Sequence, residues 1–169
     1  MTLRQIITVC TLLLLSIVSE KISAMHIIGG EITYECLGDA PNNSKRYRFT
    51  MKIYRDCNGN GANFDNPAQI AIYRGTEFIN VRIDNFQVLN PIITTIQPVP
   101  PDCVSQVPDV CVQQAIYTFE RNLPILQIPT ESYFVVYQRC CRNLTINNLI
   151  NPGDIGATYM VDLTYDAQQ

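Results

Sequence analysis

The 169-residue chain carries 12 Lys and Arg against 15 Asp and Glu, a formal charge of −3, with 47% apolar residues, a single histidine and no tryptophan. That length can bury one sizeable core, and a mildly acidic balance argues against nucleic acid, which needs clustered Lys and Arg. One imidazole also leaves Ser-His-Asp and Cys-His chemistry little to work with.

Arg4 leads an apolar run from Ile6 to Val18, and Ala24 ends the polar stretch behind it. At thirteen residues the run is shorter than the roughly 20 that cross a bilayer. Residues 1–24 therefore read as a signal peptide, and residues 25–169 as a single secreted or cell-surface domain with no membrane span after cleavage. Cleavage removes Arg4, Cys10, Glu20 and Lys21, leaving ten basic and fourteen acidic residues and a net charge of −4. Six cysteines remain: Cys36, Cys57, Cys103, Cys111, Cys140 and Cys141. An even number in an exported chain predicts disulfides. Zinc is the weaker reading, because no Cys-x-x-Cys occurs and His26 stands ten residues from the nearest cysteine.

The first predicted strand is His26 to Leu37. The second, Arg46 to Arg55, alternates Tyr47, Phe49, Met51 and Ile53 with Arg48, Thr50 and Lys52, the period of two of a half-buried strand; its "KRYR" start is the nearest thing to a basic cluster and reads as the strand's solvated face. Gln69 to Arg74 and Phe78 to Ile83 follow, with Gly75 placed to open a two-residue type II′ turn between them. Gln87 to Ile96 and Val112 to Leu123 are further candidates. Tyr133 to Tyr137, "YFVVY", is apolar on both faces, as in a central strand. Thr158 to Tyr165 again alternates, with Tyr159, Val161, Leu163 and Tyr165 on one face. No window shows a helical period. About eight strands between turns rich in Pro, Asn and Gly predict an all-β fold, an antiparallel β-sandwich that is immunoglobulin-like or a jelly roll and is stapled by disulfides.

Between the second and third strands, "DCNGNGANFDNP" sets Asp56, Asn58, Asn60 and Gly61 at positions one, three, five and six of a calcium loop. Position twelve is Pro67, so Asp65 would have to supply the last oxygen. The competing and favoured reading is a polar turn in which Asn and Gly reverse the chain and a disulfide fastens Cys57. Calcium is the only cofactor the residues suggest.

Disulfide pairing is partly readable. A local Cys103–Cys111 bridge is the easiest arrangement, and adjacent Cys140 and Cys141 are poor partners for each other, since neighbours in a strand face opposite ways. Cys36 and Cys57 would then have to reach the vicinal pair. If the first two strands form a hairpin, those two lie at its opposite ends, so either there is no hairpin or the local bridge is wrong.

Catalytic tools are few: neither Gly-x-Ser-x-Gly nor His-Glu-x-x-His occurs. Carboxylate pairs of the glycosidase kind are the remaining possibility, and the chain reads as a non-enzyme. In "QRCCRN", Arg139 is placed to pair a buried carboxylate and help specify the sandwich. Asn42 and Asn143 head Asn-x-Ser/Thr sequons.

The stretches "HIIGGEITYECLG", "YRFTMKIYRDCNGNGANFDNPAQIAIYRG", "VCVQQAIYTFERNLP", "SYFVVYQRCCRN" and "NPGDIGATY" together resemble the N-terminal module of large exported surface proteins of Bacteroidetes. Those proteins continue into PKD or other immunoglobulin-like repeats and end in gliding-motility-associated or type IX secretion domains; this chain stops at "DLTYDAQQ", which reads as a fragment or a truncated frame. The resemblance spans nearly the whole mature chain and implies a non-catalytic cell-surface module, adhesive or structural, with other surface proteins or glycans as partners. It carries over the cysteine framework and no catalytic residues. The alternative is a carbohydrate-binding or glycan-degrading accessory domain.

Overall fold

The computed structural model describes residues 27–58, 62–76, 79–97, 110–140, 142 and 146–168. The leader, His26, Asn60, Gly61, Cys103, Cys141 and the Asn143 sequon lie outside them. Eight strands appear: β1 (Ile27–Ala40), β2 (Ser44–Asp56), β3 (Ala68–Gly75), β4 (Asn80–Val88), β5 (Ile92–Ile96), β6 (Val112–Pro124), β7 (Ser132–Arg139) and β8 (Ala157–Thr164). They form two four-stranded antiparallel sheets, β1-β2-β6-β5 and β4-β3-β7-β8. With the strands lettered A, B, C, C′, D, E, F and G in chain order, the sheets are ABED and C′CFG, the arrangement of immunoglobulin-type sandwiches rather than of a jelly roll. No described helix is long and apolar enough to cross a membrane.

The alternation written in the sequence decides which faces meet. In β2, Tyr47, Phe49, Met51 and Ile53 are all buried, and β6 adds Ala115, Tyr117, Phe119 and Leu123 beside them. The second sheet answers with Ile70 and Ile72 from β3, Tyr133, Val135 and Tyr137 from β7, and Leu163 from β8. Each fully buried large side chain contributes roughly 1.5–3 kcal/mol of transfer free energy. Aromatic stacking adds to this, with Phe49 and Phe119 rings 5.3 Å apart. "YFVVY" lies between β3 and β8, so the central-strand reading holds. The Tyr133 hydroxyl donates to the Pro124 carbonyl at 2.9 Å, tying the start of β7 back to the end of β6 in the manner of a tyrosine corner.

On one flank the sandwich closes tightly. A Cβ at Gly30 of β1 would come within 2.7 Å of Ile53 Cδ1 and 2.8 Å of Tyr159 Cε1, so the missing side chain is what lets β1 approach β8 and the core.

Two local expectations change. The continuous run Gln87 to Ile96 is two strands: Asn90 adopts φ +54°, a left-handed conformation that asparagine tolerates, and with Pro91 it carries the chain from one sheet to the other. The β3–β4 turn is four residues, Thr76 to Ile79, closed by the Thr76 N–H donating to the Ile79 carbonyl at 3.0 Å. Gly75 instead pairs with Asn80, and a Cβ there would sit 2.0 Å from the Ile79 carbonyl.

The disulfide expectations change as well. Cys57 bonds to Cys111, with a Cα–Cα distance of 5.1 Å, not Cys103 to Cys111. The β2–β6 register brings Asp56 opposite Val112, and the next pair outward is the two cysteines. The β1–β2 hairpin does exist, so the conflict resolves against the local bridge. Cys36, opposite Tyr47 near the hairpin's other end, is a free, exposed thiol rather than a disulfide partner, while Cys140 is disulfide-bonded.

Candidate functional site

Two regions gather the side chains that matter. The first is the loop after β2. Asp56 Oδ1 accepts from the Asn58 N–H at 2.9 Å, an Asx turn that starts the reversal. Arg55 reaches across the loop base, donating to the Ala62 carbonyl at 3.1 Å, to Asn63 Oδ1 at 3.0 Å and twice to Gln113 Oε1. Arg139 donates to the Asn63 carbonyl at 2.7 Å, and its Nη1 lies 3.4 Å from Asp65 Oδ1. Asp65 also receives the Tyr137 hydroxyl on Oδ2 at 2.6 Å, and its backbone carbonyl takes the Tyr117 hydroxyl at 2.7 Å.

The Arg139 pairing expected from sequence is therefore present, although Asp65 is 37% exposed against 11% for Arg139, so the carboxylate is half-buried rather than buried. Both Asp65 oxygens face protein donors, and Cys57 is fastened to β6, which are the features of a stapled turn. Burial, and then the hydrogen bond to Asp65, push the Tyr137 phenol well above its usual range.

The second region is the outer face of the β4-β3-β7-β8 sheet. Strand alternation sends Tyr73 of β3, Phe134, Val136 and Gln138 of β7, and Thr158 and Met160 of β8 outward while their neighbours fill the core. With Asn80 they line a shallow depression of about 350 Å3. A second depression of about 210 Å3 adjoins it, sharing Tyr73, Val136 and Gln138 and adding Gln69, Ala71, Arg82 and Asn85. Gln69 donates to Asn85 Oδ1 and to the Phe86 carbonyl, and Gln138 donates to Thr158 Oγ1 at 3.3 Å, so the amides are held in place. Rings, a thioether and amides offer flat apolar contact and neutral hydrogen bonding, and none of the lining residues is acidic.

Four of the described carboxylates instead serve as struts between segments of the sandwich. Glu31 pairs with Lys52 at 3.1 Å, Glu120 with Arg48 at 2.9 Å, Glu131 with Arg74 at 2.7 Å and Asp84 with Arg121 at 3.1 Å. The Glu131 hydrogen bond raises the Arg74 pKa further. Spacing alone does not mark the outer-face residues as a site; the signal for them is "YFVVY", whose second apolar face is Phe134 and Val136. Comparison with known proteins finds no matching family model, no matching curated protein and no matching solved structure.

Proposed function

We propose that the chain is an exported, non-catalytic cell-surface module of an adhesion or gliding-type assembly, and that it meets its ligand with the outer face of the β4-β3-β7-β8 sheet. The observation that carries this reading is the depression around Tyr73, Phe134, Val136 and Met160, an apolar floor edged by fixed amides on a face where solvated side chains would ordinarily stand. The Cys57–Cys111 bridge fits an oxidising compartment, and the ion-paired carboxylates suit a scaffold better than acid–base chemistry. The neutral amides beside Tyr73 favour one alternative ligand class, carbohydrate, over a charged partner.

The test is binding of labelled mature protein to cell envelopes and to a glycan array, read for the wild type and for Tyr73→Ala and Phe134→Ala, with a reducing-sugar assay alongside. Binding that falls at least about tenfold in both variants, a loss of roughly 1.4 kcal/mol, with melting unchanged and no sugar released, supports the reading. Unaltered binding removes the face, and sugar release removes the non-catalytic assignment.

A further inference from the structure

The two sheets of the described residues have four edges, and natural sheets guard such edges with charge, proline or cover. Three are guarded here: β1 carries Glu31, Glu35 and Asp39, β4 carries Arg82 and Asp84, and β8 carries Asp162. The fourth, β5, reads Ile92-Ile93-Thr94-Thr95-Ile96, without a charge, and every one of its residues is exposed. Leu89, just ahead of it in the chain, is exposed as well.

The inner side of β5 is open too. Ile93 lies opposite Ala115, which is fully buried, yet Ile93 itself is 53% exposed. The sandwich that β1, β8 and Gly30 close on one flank thus stops short on the other.

We propose that β5 is a strand-addition site for a second copy of this chain, paired antiparallel about a two-fold axis at Thr94. The sequence of the strand is what selects that occupant. Antiparallel pairing centred on Thr94 sets Ile92 against Ile96 of the second copy, Ile93 against its Thr95, and Thr94 against its own equivalent. Apolar β-branched residues then meet on one face and no like charges oppose one another. A two-fold contact is isologous and closes, so it yields a dimer with one continuous eight-stranded sheet and leaves no growing end. It leaves the outer face of the other sheet free.

The test uses the mature chain with Cys36→Ser, so that thiol-linked dimers through the exposed Cys36 do not register. Sedimentation at rising concentration is expected to show a monomer–dimer equilibrium insensitive to salt. Thr94→Lys and Thr94→Glu each place like charges face to face across the axis and are expected to weaken association at least about tenfold, while an equal mixture of the two recovers the dimer. Because lysine is well tolerated on a free edge strand, both variants should melt with the wild-type monomer. A wild-type chain that stays monomeric throughout, a dimer indifferent to both charges, or a mixture that fails to pair overturns the proposal.

Discussion

Arg139 ends β7 with its side chain turned inward, where the two sheets part and the loop after β2 crosses between them. Its guanidinium serves two acceptors, the Asn63 carbonyl and the Asp65 carboxylate, the second shared with the Tyr137 hydroxyl. Nη1 is buried and lies within ion-pair distance of Asp65 without hydrogen-bond alignment, so the Asn63 bond and the charge are the larger contributions. Arg139→Ala strips both and leaves the loop's polar groups half-paired, which costs about 1–3 kcal/mol. At roughly 2–4 °C per kcal/mol for a domain of this size, the melting temperature should fall by about 2–12 °C. Arg139→Lys should recover only part, because an ammonium cannot span both acceptors in the guanidinium's planar fork. Thermal and urea melts of the two variants check this, and an alanine variant as stable as the wild type would remove Arg139 from the set of residues that hold the fold.

Strands β2 and β6 run side by side over their whole lengths, from Ser44 opposite Pro124 to Asp56 opposite Val112, and the disulfide extends that ladder by one more rung. Cys57 and Cys111 are 54 residues apart in sequence. A closed loop of that length gives roughly 4 kcal/mol of stabilisation in the chain-entropy treatment. Replacing both cysteines with serine should therefore move the urea midpoint sharply, whereas Cys36→Ser, at an exposed position on β1, should stay within about 0.5 kcal/mol of wild type. Equal losses from the two would mean that Cys36 is also structural. The strands themselves were legible, because a half-buried strand leaves its period of two in side chains such as Tyr47, Phe49, Met51 and Ile53. The bridge was not, since its partners meet only through a pairing between strands far apart in sequence. Nor was the break at Asn90: its neighbours keep an apolar pattern on both sides, and only the backbone there turns left-handed. The outer-face depression was half-visible, in that "YFVVY" announced a second apolar face without saying whether a partner sheet or solvent lay against it.

Across the described residues, tyrosines are the largest polar side chains carried by the core strands. Tyr47, Tyr117, Tyr133 and Tyr137 are all buried at the meeting of the two sheets, and burial is the first cause of a raised pKa in each. Tyr47 and Tyr117 are each pushed up to about 12 from an ordinary value of 10.0. The folded state therefore holds phenolic protons that the unfolded chain releases near pH 10. Linkage then fixes the sign: the stabilisation from these groups is fully present below about pH 10 and is lost as pH climbs through the folded values toward 12. Melting temperature should be level with respect to these tyrosines up to about pH 9 and fall steeply between 10 and 12, with their tyrosinate absorbance appearing together with loss of structure rather than ahead of it. Tyr47→Phe isolates one contribution, because the Tyr47 hydroxyl is buried near Cys36 and Gln168 without an aligned hydrogen-bond partner. Removing that hydroxyl should leave neutral-pH stability nearly unchanged and shift the alkaline limb upward. A Tyr47→Phe variant whose alkaline limb coincides with that of the wild type would show that this phenol reaches solvent, and that the two sheets pack less closely around it than the buried faces of β2 and β6 require.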